Sequence, residues 1–271
     1  MHAKLDVKYH GPLVVNAEFL TDLNKRLTTV ASQYLDDLAD REQVPRSELD
    51  ELVTQLSSNA KSTNLDGLAY KVVAQTFINY DVRWKGGLRA DNLSYDELIE
   101  MLDFESAIPQ QIEATVGKYG YSRLAVTVRT QGFSTAELII HDNHDRIEHH
   151  KNTIWNLFKK SNPDLGFLHS SVTQTLIRIA LYAIYTICIY IALDHFYPNE
   201  VKVSKSFTSS VFSLVITVPA GFLYDRAFPA VQFMFGSHKS SSLLRKFLWA
   251  FISVVIVPVL ITYWFAVHPL K

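Results

Sequence analysis

The sequence predicts an α+β head, an antiparallel sheet with packed helices, followed by a three-helix transmembrane region. Three observations lead there. Charge is unevenly spread: residues 1–165 carry 18 Lys and Arg against 24 Asp and Glu, whereas residues 166–271 carry 8 against 3. The second part holds three long apolar stretches, of which two carry no charge at all. The first part holds several strand-like runs separated by short turns, together with helical repeats. Consecutive strands with short turns favour an antiparallel sheet covered by helices. The charge split excludes one ordinary water-bathed domain. The expected organisation is a cytosolic domain over 1–160, a linker over 161–175 and a membrane domain over 176–271.

Within the head, residues 3–9 alternate as a strand and end at His10-Gly11-Pro12, a turn. Asn16 is placed to cap a helix. Phe19, Leu20, Leu23, Leu27, Val30, Ala31, Tyr34, Leu35 and Leu38 then recur at three and four, one apolar helical face. Pro45 and Ser47 open a shorter helix through Leu49, Leu52, Val53 and Leu56, and 61–67 reads as a loop. The β-branched content of 70–82 predicts a strand. Gly86-Gly87 predicts a turn. Ser94 and Glu97 form a capping box before Leu98, Ile99 and Leu102. Runs 112–116 and 124–128 flank the glycines of 117–120, a hairpin signal. Ala136, Leu138 and Ile140 predict another strand, and a helix follows over about 145–160.

The three spans are predicted at 176–193, 207–224 and 247–267. A bilayer core needs roughly 20 apolar residues of helix, and about 17 suffice. Trp249 and Trp264 sit near opposite ends of the third, where indole rings favour headgroups. Pro258 predicts a kink there. With the head and the second connection inside, Lys159, Lys160, Arg226, Lys239, Arg245 and Lys246 lie inside, against Lys202, Lys205 and Lys271 outside. The positive-inside rule then places the head in the cytosol and the C-terminus outside a plasma membrane. The first residues lack a secretory h-region, in keeping with that orientation. Asn92-Leu93-Ser94 matches a glycosylation triplet that a cytosolic head would never present to the enzyme.

Polar residues are not scattered over the spans. Arg178, Tyr182, Tyr185 and Thr186 share one side of the first, and Ser206, Ser210, Ser213 and Thr217 one side of the second. Such stripes predict a helix-packing face, since hydroxyl and small side chains let membrane helices approach and hydrogen-bond. Between the second and third spans, Val231, Phe233 and Phe235 alternate with Gln232 and Met234. The favoured expectation is a segment lying in the membrane interface, the other an extra edge strand on the head.

Chemistry-bearing motifs are sparse. The densest polar stretch is 141–150, HDNHDRIEHH. His141, His144 and Glu148 could ligate a metal, but without an HExxH arrangement they read more simply as a strand end, a helix cap from Asp142 or Asn143, and a polar face. No phosphate loop, dinucleotide fingerprint or nucleophile elbow occurs, so neither a cofactor nor a catalytic residue is expected. Cys188 is the only cysteine and can form no internal disulfide. An acidic head gains nothing from phosphate counterion release, so nucleic acid is not an expected partner.

The expected function is an integral membrane protein whose head binds or senses a cytosolic protein or small molecule. The alternative is an oligomeric membrane effector, a homo-oligomer that perturbs permeability on a signal received by the head. A third reading makes the head a metal-dependent enzyme. In every case the bilayer is a partner.

Overall fold

The computed structural model describes residues 2–58, 67–104, 108–118, 123–130, 134–162, 171–198, 202–227 and 231–235. The chain divides into two compact units, one of residues 1–163 with 231–239, the other of 164–230 with 240–271. The third predicted span, its tryptophans and Pro258 lie outside the described residues.

The first unit is the α+β head. Its main sheet has six strands: β1 His2–Tyr9, β3 Ile78–Trp84, β4 Arg89–Leu93, β5 Pro109–Val116, β6 Leu124–Arg129 and β7 Ala136–Asn143. They run in the order β1-β7-β6-β5-β3-β4, and every pairing is antiparallel. Alternation gives the sheet a wet face and a dry face. Tyr80, Val82, Ile112, Ala114, Val126, Val128, Leu138 and Ile140 are buried, while Asp81, Glu113, Thr127 and Glu137 point the other way.

The dry face packs against α1 Ala17–Glu42, α4 Tyr95–Phe104 and α5 His144–Lys160. Asn16 caps α1 as its sequence position implies, with its Oδ1 accepting from the Phe19 N–H at 2.8 Å. The expected apolar repeat of α1 is buried from Phe19 to Leu38. The capping box of α4 is formed: Ser94 N–H donates to Glu97 Oε2 at 2.8 Å, and Glu97 N–H donates to Ser94 Oγ at 3.3 Å. Gly86 and Gly87 turn the chain from β3 into β4 at φ of 105° and 91°, a region where a Cβ is penalised.

Four details differ from the sequence expectation. Residues 70–82 are not one strand: α3, Gly67–Thr76, precedes β3. The β-branched pair Val72-Val73 suggested extension, but Leu68, Val72 and Thr76 recur at four, and Val72 packs into a small core with Leu35, Leu38 and Leu49. That core joins α1 and α3 to α2, Arg46–Ser58. Tertiary burial overrides local propensity here. Two strands lack a sequence signal: β4 is mostly polar, with only Ala90 and Leu93 apolar, and β2, Leu13–Val15, has three residues.

The fourth difference carries most for function. The segment expected in the membrane interface is instead β8, Val231–Phe233, paired in parallel with β2. Val231, Phe233 and Phe235 are buried in the head core, with Val231 and Phe233 paired to Leu13 and Val15. Their alternation reflects a pleated strand with one dry side. The Met234 N–H extends the pairing to Val15 O at 2.9 Å.

Among the described residues, the second unit contains two 26-residue helices, α6 Ser171–Phe196 and α7 Lys202–Ala227. Within α6, Thr173–His195 is long and apolar enough to cross a membrane, with a mean hydropathy of 2.1. Leu176, Ile179, Ile184, Ile187 and Ile191 are each more than half exposed.

Candidate functional site

A polar cavity of about 430 Å³ opens on the head where α1, α3, β6, β7 and α5 meet. Each element delivers its residues by its own periodicity. Tyr34, Asp37 and Arg41 are three and four apart, so they form one stripe along the last turns of α1. Asp142 is the last inward position of β7, and Asn143 begins the passage into α5. Arg146 stands in the first turns of α5, Arg123 just before β6, and Gln75 near the end of α3.

Beneath the cavity lies a buried polar group. Tyr34 donates its hydroxyl hydrogen bond to Asp142 Oδ2 at 3.0 Å, and Asp142 Oδ1 accepts from the Asn143 N–H at 2.7 Å. His150, 2% exposed, sets its Nε2 3.5 Å from Asp142 Oδ2, and this nitrogen makes no hydrogen bond among the described residues. Burial alone would raise the Asp142 carboxyl. The His150 imidazole, the Asn143 N–H, the Tyr34 hydroxyl and the Arg146 charge outweigh it and hold the group below the usual aspartate value. The Tyr34 phenol is pushed far above its ordinary range, by burial first and then by the Asp142 charge and hydrogen bond.

The cavity wall is charged. Arg146 forms a two-pronged ion pair with Asp37, one arm at 2.8 Å. The Arg123 guanidinium lies 5.6 Å from the centre of the Tyr34 ring, and its Nη2 donates to Gln75 Oε1 at 3.3 Å. Such a wall can recognise a small polar ligand through fixed charges and hydrogen bonds, over a base already ordered by buried polar contacts.

The sequence-expected metal residues lie elsewhere. His141 is exposed on β7, and His144 and Glu148 are exposed on α5, where Glu148 binds Lys151 at 3.0 Å. Among the described residues no group of three or more His, Cys, Asp or Glu is arranged to hold a metal ion. The stretch 141–150 does feed the cavity, but through Asp142, Asn143 and Arg146. Tyr34, Asp37 and Arg123 escaped sequence reasoning because each is an ordinary residue of its own element. Only the fold brings them together.

In the second unit α6 and α7 pack side by side and antiparallel. Lys205 of α7 donates to Asp194 of α6 at 2.8 Å, while towards the other helix ends a Cβ on Gly221 would meet the Arg178 side chain at 3.2 Å. Lys205, Ser209, Ser213, Thr217 and Gly221, each four apart, form a buried seam on α7. Of the expected face, Tyr185, Ser213 and Thr217 are buried, Tyr182, Thr186 and Ser210 half-buried, and Arg178 and Ser206 exposed. Ser209 replaces Ser206 in the seam because 209 and 213, not 206, continue the four-residue repeat through Thr217. The Ser213 hydroxyl donates to Ser209 O at 2.7 Å and the Thr186 hydroxyl to Tyr182 O at 2.8 Å, satisfying both within their own helices.

Comparison of the chain with protein-family models, curated proteins and solved structures finds no match.

Proposed function

We propose that this chain is a multi-pass membrane protein whose cytosolic head binds a small ligand in the cavity above Tyr34 and Asp142. The membrane half draws on the side chains of α6. Leu176, Ile179, Ile184, Ile187 and Ile191 are exposed along the helix, a surface that is costly in water and at home in lipid. The same holds for α7, where Phe207, Phe212, Val215 and Val218 are each more than half exposed.

Chain connectivity supports this topology. The chain leaves the head after α5 and belongs to the head again at β8. An excursion that begins and ends on one side of a bilayer crosses it an even number of times. Two helices of 26 residues, at about 1.5 Å rise per residue, are each long enough for one crossing. The end of α6 and the start of α7 then lie on the far side, and a third crossing would start from the head side. This agrees with the orientation argued from basic residues. The alternative, an assembly of copies perturbing permeability, draws no support from the hydroxyl stripe, whose Ser209, Ser213 and Thr217 are already buried within one chain.

The binding half rests on one observation: a charged cavity of ligand size over a buried Tyr34–Asp142–His150 group. A thermal-shift screen of the detergent-solubilised full chain against anionic, cationic and neutral metabolites tests it. At least one compound should raise the midpoint by several degrees, and Tyr34→Phe should weaken that response. A flat screen across all three classes would contradict the reading.

A further inference from the structure

We propose that the ligand of this cavity is a small organic phosphate, its oxyanion held by the guanidinium groups of Arg41 and Arg123. The proposal rests on the reading of the head as a ligand-binding module and adds the chemical class. It follows from asking which wall groups are already engaged. Arg146 and Asp37 neutralise each other in a two-pronged pair. Asp142 accepts from Tyr34 and from the Asn143 N–H. What remains for a ligand is Arg41, Arg123 and Asp40.

Among the described residues, Arg41 makes no side-chain hydrogen bond or ion pair, and Arg123 uses only Nη2, at 3.3 Å to Gln75. Stacking near the Tyr34 ring leaves the other donors of Arg123 in the guanidinium plane. Asp142 keeps its charge, so the lining as a whole balances three arginines against three aspartates, and the case for an anion rests on the guanidinium donors of Arg41 and Arg123 that no acceptor on the wall uses. A cation or a neutral molecule would leave most of these donors without an acceptor. One guanidinium fork satisfies the two oxygens of a carboxylate, whereas a phosphomonoester presents three terminal oxygens that two forks can share. The N-terminus of α5 opens on the same cavity at Asn143, whose side chain makes no capping hydrogen bond, and adds positive potential. About 430 Å³ is ample for more than a bare phosphate ion. Asp40 calls for a hydroxyl or amine donor elsewhere on the molecule.

The test is calorimetric titration of the full chain in detergent with inorganic phosphate, glycerol 3-phosphate and AMP, with glycerol and adenosine as phosphate-free controls. At least one phosphate-bearing probe should bind and the controls should not. Arg41→Gln and Arg123→Gln should each weaken binding by about tenfold or more. Asp40→Asn should strengthen inorganic phosphate by removing a like charge. A midpoint rise in discs containing phosphatidylglycerol, abolished by Arg123→Gln, would assign the phosphate to a lipid headgroup and support the same chemistry. No response to any phosphate source, or unchanged affinity in both arginine variants, overturns the proposal. If a cation or neutral metabolite binds and Tyr34→Phe weakens it, the cavity remains a ligand site and only the phosphate assignment falls. If nothing binds at all, both fall.

Discussion

Phe233→Ala in the full chain should destabilise the head by about 3 kcal/mol, as large-to-small changes in a core do. The residue is remote in sequence from the rest of the head, yet its ring is 7% exposed inside the head core. Truncation removes apolar contact within the head core and weakens the only strand pairing that β2 makes among the described residues. Denaturant unfolding followed by hydrogen exchange in β5, β6 and β7 measures the loss. The amide of Met234, bonded to Val15 O, should exchange faster than in the parent protein. Leu88→Ala, at a residue 54% exposed, is the control and should stay within about 0.5 kcal/mol. An interfacial segment would behave otherwise: Phe233→Ala would alter membrane contact and leave head unfolding unchanged.

Asp142→Ala should cost a similar amount, about 3 kcal/mol, for a different reason. It strands the buried Tyr34 hydroxyl without its acceptor and removes the carboxylate that lies 3.5 Å from the buried His150 Nε2. Asp142→Asn keeps the shape and an acceptor, so it should cost less and isolates the charge. Its pH dependence has a definite sign. A carboxyl held below its unfolded value adds stability that is complete above the unfolded aspartate range, about pH 4 to 5, and is lost as pH falls through the lower native value. The stability gap between the parent and Asp142→Asn should therefore be widest near neutrality and narrow in acid. Urea melts of both proteins between pH 7 and pH 3 measure it. A gap that stays constant would mean that the charge of Asp142 contributes nothing.

The sequence made the regular parts of the head legible because their signals are local. Asn16 before a three-and-four repeat specifies α1, and Ser94 with Glu97 specifies the start of α4. The alternation through Ala136, Leu138 and Ile140 specifies β7. The errors fall where distant residues decide. Val72 and Val73 look extended until the pocket formed by Leu35, Leu38 and Leu49 buries Val72 on a helix face. The alternation of Val231, Phe233 and Phe235 was visible, but nothing local distinguishes a face that meets lipid from one that meets β2 and α1. The cavity was the least legible feature. Its residues come from five separate elements, and the two guanidinium groups proposed to hold the ligand, Arg41 and Arg123, stand out only once the Arg146–Asp37 pair is seen. In the 141–150 stretch the eye falls on exposed histidines. The fold uses Asp142 and the buried His150 instead.

The central claim is that α6 and α7 leave the head's side of a bilayer and return to it. The most direct measurement is labelling of intact cells with a membrane-impermeant maleimide, in a background where Cys188→Ser removes the native thiol. Cysteines are introduced singly at Asn199, between α6 and α7, and at Lys85, in the β3–β4 turn of the head. Asn199→Cys should label in intact cells, whereas Lys85→Cys should label only after permeabilisation. Equal labelling of the two positions in intact cells, or protection of both until the cells are opened, would contradict the account.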